Sequence, residues 1–213
     1  MSAWRIPPGE IEAESFRRIE AEAGKHGLDP ETWLVVRRMI HTTADFDYLT
    51  HTRIHPRAIG AGVAALRQGR PVATDTRMLA AGISTGRLQR LGVEVRCLMD
   101  APEVTAEASR RGLTRAAVAM ERLLPEVAGG IVAIGNAPTA LFRLLELLEE
   151  GAPPPALIVG LPVGFVNAAE AKEALSRSDY PHITALGRKG GSAVAASVVN
   201  ALAILALEEG RHD

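Results

Sequence analysis

Ile131-Val132-Ala133-Ile134-Gly135-Asn136-Ala137-Pro138-Thr139 is the stretch on which the reading of the fold turns. It reads as a buried strand, a glycine turn, Asn136 as a helix N-cap and a helix with Pro138 in its first turn. A junction of this kind aims free N–H groups outward. In an open α/β sheet it lies at the carboxyl edge of the strands, where ligands bind, so it is a candidate anion site. The same pattern serves plain helix capping equally well, and spacing alone does not separate the two.

On either side the alternation repeats. Short apolar runs fall at 71–75 and 93–99 before it and at 156–160 and 183–186 after it. Helical patterns occupy 102–111, 114–127, 137–150, 168–177 and 191–207. Parallel strands need such crossovers, and their right-handed packing covers both faces of the sheet. The expectation is α/β: a single doubly wound, mostly parallel sheet with helices on both faces. The first forty residues add helices over 10–24 and 30–40, which puts His41 at a helix C-terminus. The stiff stretch Gly151-Ala152-Pro153-Pro154-Pro155 lies inside the alternation and reads as a loop, so one domain is expected over 1–213.

Composition narrows the function classes. Hydrophobic residues make up 47% and charged residues 23% of 213, an ordinary globular balance. Lys plus Arg number 24 against 25 Asp plus Glu, so nothing draws the whole chain to polyanions or anionic membranes. Aromatic residues reach only 4%, too sparse for a stacking platform, and nucleic acid is not expected as a partner. The longest apolar stretch, 192–207, is shorter than the roughly 20 residues of a membrane span and is interrupted by Ser197 and Asn200. It is expected as a buried helix, and its all-round apolarity also points to a homodimer. A lone cysteine, Cys97, and no signal-like N-terminus suggest a cytoplasmic protein. Cys97 lies in an apolar run and is expected in the core.

Three groups of residues could carry chemistry. The Gly187-Arg188-Lys189-Gly190-Gly191-Ser192 turn opens the last helix and adds two cations to a glycine junction. It matches no phosphate-loop or dinucleotide motif, and carboxylates would suit it as well; without the first junction an exposed turn with solvated Arg188 and Lys189 would be the preferred reading. His41, followed by Asp45 and Asp47, is placed where both the helix end and the carboxylates favour its protonated form, as a general acid requires; the same position also suits a mere helix-end histidine. His51 and His55 have helical metal-pair spacing, but Pro56 disfavours helix there, and a solvated basic patch is expected instead.

Several segments together resemble the precorrin-8X methylmutase family of cobalamin biosynthesis. They are Arg38-Met39-Ile40-His41, Asp75 with Met78 and Gly82-Ile83, Thr114-Arg115, Gly135-Asn136-Ala137-Pro138-Thr139-Ala140, Gly160-Leu161-Pro162-Val163-Gly164-Phe165-Val166, and Gly187 to Ser192, in the family's order. The resemblance implies a doubly wound α/β homodimer with sites near the subunit interface. It further implies an isomerase that moves a methyl group from C-11 to C-12 of a polycarboxylate tetrapyrrole, precorrin-8X or cobalt-precorrin-8, giving hydrogenobyrinate or cobyrinate. The family's catalytic histidine matches His41, and its substrate-contacting serine and arginine match Ser15 and Arg115, with Ser84 and Thr85 as further candidates. Arg38, Asn136, Thr139, Arg188, Gly190, Gly191 and Ser192 complete the expected substrate-binding set. No cofactor and no protein-bound metal are implied, because the migrating methyl is already on the substrate. The run from His41 to Tyr48 looks more like the cobalt branch. The competing readings are a tetrapyrrole carrier without catalysis and a phosphate-ester enzyme using the same helix N-termini.

Overall fold

The structure is a computed structural model in which residues 7–208 are described. The chain opens with two antiparallel helices, α1 (Ile11–Ala23) and α2 (Pro30–Thr43). Asp29 starts α2 by accepting from the Glu31 and Thr32 amides at 3.1 and 3.0 Å, with Pro30 in the first turn. The helix runs three residues past the expected end, and Ala44 closes it in a left-handed conformation at φ 52°. His41 therefore lies within its last turn.

A region that the apolar alternation leaves unassigned follows: α3 (Asp47–His51), β1 (Thr52–Ile54) and α4 (Ala58–Arg67). Then come β2 (Val72–Thr74), α5 (Arg77–Gly82), α6 (Thr85–Arg90), β3 (Val95–Arg96) and α7 (Pro102–Arg111). The second half alternates regularly: α8 (Arg115–Leu123), a short 3-10 turn, β4 (Ile131–Ile134), α9 (Pro138–Glu149), β5 (Leu157–Gly160), α10 (Ala168–Ser176), β6 (His182–Ala185) and α11 (Ser192–Glu208).

The six strands form one sheet in the order β1-β6-β5-β4-β2-β3. All neighbours are parallel except β1, which runs antiparallel to β6 with Arg53 opposite Thr184. Counted from β2, the chain first steps outward to β3 and then crosses back to β4. The winding direction thus reverses between β2 and β4, and their carboxyl ends bound the crevice where doubly wound sheets take ligands. Strand residues alternate between two cores. Ile131, Ala133, Leu157, Val159 and Ile183 pack with α2, α4 and α11 on one face. Val132, Ile134 and Ile158 pack with α8, α9 and α10 on the other. The fold class is the expected one.

Three details differ from expectation. The circumference of α11 is covered within this chain, by α2, α4, α5 and α6 and by the sheet, so its apolarity needs no second copy to explain it. The run 93–99 yields only the two-residue edge strand β3, which pairs with β2 alone. Cys97 just beyond it is half-buried rather than a core thiol, because an edge strand is covered from fewer sides. Among the described residues, no helix is long and apolar enough to cross a membrane.

Candidate functional site

At the crevice between β2 and β4 the amides expected to greet a ligand are already bonded. The Asp75 carboxylate, 2% exposed at the end of β2, accepts from the Gly135, Asn136 and Ala137 amides at 3.0, 2.8 and 2.7 Å. An internal carboxylate thus occupies the anion position of this junction. Burial pushes the Asp75 carboxyl up, and the three amides pull it back down without fully offsetting that. Asn136 is correspondingly not the N-cap. Ala137 holds that place with no side-chain bond, and the Asn136 side chain is left exposed at the rim. Thr139, the second residue of α9, shares a 2.8 Å hydrogen bond with Thr114, the N-cap of α8. That contact sets the exposed Arg115, first residue of α8, beside the α9 N-terminus.

The second junction lies against the first. Ser192, 8% exposed at the start of α11, is hydrogen-bonded through its hydroxyl to Thr76 at 3.0 Å. Gly190 is a glycine because a Cβ there would stand 2.2 Å from the Leu161 carbonyl oxygen, and the Gly191 amide donates to the same oxygen at 2.9 Å. The Arg188 guanidinium lies over the Phe165 ring, 5.4 Å from its centroid, and is exposed toward solvent. Lys189 is not a free cation: its ammonium bonds Asp45 at 2.5 Å and Asp47 at 2.7 Å. Those bonds hold the Asp45 carboxyl below the usual carboxylate range. The two carboxylates expected to act on His41 are therefore turned to Lys189 instead.

His41 is exposed on the outer face of α2. Its ring meets Phe16 of α1 at a centroid distance of 5.0 Å, tilted by 53°. The Arg37 and Arg38 guanidiniums lie 4.4 and 5.3 Å from the same Phe16 centroid, and Arg38 also reaches Glu12 at 3.4 Å. Ser15 adjoins Phe16 on α1, half-buried, with its hydroxyl donating to the Ile11 carbonyl at 2.9 Å. Ser15, Arg38 and His41 are thus brought to one α1/α2 surface. A cleft of about 260 Å³ opens beside the Asp45–Asp47 turn, lined by Asp47, Tyr48, His51, Leu186, Arg188 and Lys189 among others, and His41 is not part of its wall. Burial pushes the Tyr48 phenol in this cleft up to about 12.

Ser84 and Thr85 are held elsewhere on α11. The Ser84 amide donates to the Asn200 side chain at 2.7 Å, and Asn200 donates to the Gly82 carbonyl at 2.9 Å. Asn200 lies eight residues beyond Ser192, about 12 Å along the helix. The pair therefore stands apart from the two junctions. His51 and His55 do not act together: His51 bonds the Asp47 carbonyl at 2.9 Å, while His55 meets the buried His182 ring at 5.6 Å. Among the described residues no group of three acidic, histidine or cysteine side chains could hold a metal ion. Sequence reasoning missed the roles of Phe16, Asp75, Thr76 and Thr114. Asp75 left a signal, an acid directly after an apolar run, and so did Thr114, a threonine at the start of a helical pattern.

Fold and site together define a doubly wound α/β protein whose carboxyl edge gathers glycine turns and exposed arginines, with Lys189 bonded to the turn that follows the helix of the exposed His41. Such an edge suits an organic polyanion. The profile of the family described as precorrin-8X methylmutase matches residues 10–205. Among relatives, a cobalt-precorrin-8 methylmutase of Priestia megaterium is 44% identical over 201 residues, 94% of this chain and 89% of that one. A precorrin-8X methylmutase of Pseudomonas aeruginosa is 45% identical over 195 residues, 91% of this chain and 93% of its own. The crystal structure of precorrin-8X methylmutase from Thermus thermophilus superposes with a TM-score of 0.87 at 45% identity, covering 94% of this chain and 99% of that one. The chain belongs to the precorrin-8X methylmutase family, and as a methylmutase it is an isomerase.

Proposed function

We propose that this chain moves a methyl group from C-11 to C-12 of precorrin-8X or cobalt-precorrin-8, with His41 as the proton donor. The observation that carries this is the exposed His41 imidazole at the end of α2, backed by Phe16 and flanked by Arg38, in a chain of this family. Protonating a ring-C nitrogen makes the conjugated system electron-poor and eases a 1,5-sigmatropic methyl shift, after which the nitrogen gives the proton back to His41, so the protein lends a proton and supplies a fixed geometry. Ser15 and Arg38 beside His41, and Arg115, Asn136, Thr139 and Arg188 at the carboxyl edge, offer hydrogen bonds and charge to the acetate and propionate groups of the macrocycle. Gly190, Gly191 and Ser192 shape that edge, and Ser84 with Thr85 would meet a more distant part of the substrate. No external methyl donor and no protein-bound metal enter this scheme, and any cobalt arrives as part of the substrate.

A homodimer belongs to the same proposal. Met78, Phe165 and Val166 are 74%, 85% and 76% exposed at the carboxyl edge, and the 260 Å³ cleft is smaller than the roughly 300–1,000 Å³ of ordinary ligand pockets. A second copy would cover the apolar side chains and complete a site for so large a ring. The balanced charge supports a small polyanion rather than nucleic acid as the partner, and the lone Cys97 supports a reducing cytoplasm. The phosphate-ester reading loses its main support because Asp75 fills the first junction.

The test is His41→Ala. Binding is spread over many carboxylate contacts while the proton comes from one side chain, so the variant is expected to take up the macrocycle, seen as a changed visible spectrum. It should yield rearranged corrin about 10²–10⁴-fold more slowly. Turnover near the wild-type rate would overturn the assignment of His41. A carrier without catalysis would show uptake and no turnover in the wild type.

A further inference from the structure

Lys172 is a fully buried lysine that the proposed chemistry does not use. It lies in α10 at 0% exposure, and among the described residues no carboxylate pairs with it. Leaving an ammonium buried without a counter-ion is costly, so its one strong contact is informative. That contact is the Lys189 carbonyl, to which the Lys172 ammonium donates. Lys189 in turn carries its own ammonium outward to Asp45 and Asp47. These two residues form the turn after α2: the Asp47 amide donates to Asp45 at 3.0 Å, and the Ala44 amide closes the helix on the Ile40 carbonyl at 2.7 Å. His41 is in that closing turn.

We propose that Lys172 and Lys189 form a two-lysine strut that positions His41: Lys172 fixes the backbone of the 187–191 turn, and the Lys189 side chain fixes the end of α2 against it. Lys189 is on this view a positioning residue and not a carboxylate-binding one. Among the described residues the turn it springs from is otherwise held by the Gly191 amide on Leu161, by the Gly164 amide on the Arg188 carbonyl and, at the surface, by the Arg188 guanidinium over the Phe165 ring. Its two glycines at φ 84° and 131° leave it pliable, and the buried ammonium is what removes that freedom. A proton donor displaced by about 1 Å loses on the order of 10²-fold in rate while the many contacts to substrate remain. The inference rests on the methylmutase reading for its kinetic consequence, but not for the strut itself.

The experiment compares wild type, Lys172→Met, Lys189→Met and the double variant by turnover, macrocycle affinity, melting temperature and the NMR resonances of the His41 ring. Each single variant should lose about 10- to 100-fold in kcat, with KM within about twofold and with a shifted His41 ring signal. Because both act through one strut, the double variant should be no slower than the slower single one. Losses that multiply, a wild-type kcat in either variant, or a change confined to KM would overturn the proposal. If Lys172→Met does not fold, Lys189→Met decides alone, since its side chain is 53% exposed and its loss leaves the core intact. If the wild type turns over neither substrate form, the methylmutase reading falls. The strut then stands or falls on whether the His41 signal moves in Lys189→Met.

Discussion

Ser192 stands so close over Gly135 that a Cβ on Gly135 would lie 2.6 Å from the Ser192 α-carbon. Two strand-to-helix junctions therefore meet backbone against backbone, and neither can retreat. The Gly135 amide is bonded to Asp75 and the Ser192 hydroxyl to Thr76. Gly135→Ala should accordingly cost about 3 kcal/mol in urea denaturation. Gly60, exposed inside α4 with nothing within 4 Å of its virtual Cβ, is the control. Gly60→Ala should stabilise by about 0.5–1 kcal/mol. Equal effects at the two positions would show that the contact at Ser192 gives way.

Asp75 makes a second expectation testable. Truncating it to Ala leaves three amides without an acceptor, and each such group costs about 1–3 kcal/mol. The same truncation opens an anion position at the α9 N-terminus. Inorganic phosphate should therefore raise the melting temperature of Asp75→Ala by several degrees and leave wild type unmoved. Protection of wild type to the same extent would mean that phosphate binds elsewhere.

The second half of the chain was legible because its helices are long and its strands β4 and β5 carry no polar side chain. Strand β4 has the boundaries that periodicity assigns, and helix α10 ends within one residue of them. What resisted reading was short or made by distant partners. Strand β1 is Thr-Arg-Ile, three residues with a charge in the middle, and only its pairing with β6 defines it. The set Ser15, Arg38 and His41 came from resemblance, since a helix-end histidine has a simpler explanation on its own. The Asp75 cap spans 60 residues and the strut from Lys189 to Asp45 spans 144, separations at which no local pattern points from one end to the other.

Phe16 is the side chain that local reading passed over and that touches the proposed acid directly. Its ring supports the His41 imidazole and lies beneath both arginines. Phe16→Ala should remove about 0.5–1.5 kcal/mol of aromatic contact and lower kcat by about tenfold. Phe16→Tyr keeps the ring and should remain near wild type. A kcat unchanged in Phe16→Ala would mean that the ring only covers the helix pair.

Opposite shifts at the two lysines of the strut give a pH dependence with a definite sign. Burial pushes Lys172 down to about 8, whereas an unfolded lysine titrates near 10.4. Between those values the folded chain has released a proton that the unfolded chain still holds, so the Lys172 contribution to stability rises with pH. At pH 7 the folded state carries the full cost of a buried ammonium, and at pH 10 it carries almost none. Lys172→Met lacks this dependence, so wild type should gain on the variant as pH rises from 7 to 10. Lys189 behaves in the other sense: Asp45 and Asp47 hold its pKa above the ordinary lysine range. Its contribution is complete below the unfolded value and is lost only at higher pH, so wild type and Lys189→Met should keep a constant difference over the same interval. On the acid side the Asp45 carboxyl, lowered chiefly by the Lys189 hydrogen bond, keeps its contribution down to about pH 4 and loses it below. Urea denaturation of the three proteins at pH 3, 5, 7 and 10 measures all of this. A wild-type advantage over Lys172→Met that stays flat or shrinks toward pH 10 would mean that Lys172 is not a buried cation at neutral pH, and that the Lys189 carbonyl is held by a neutral amine.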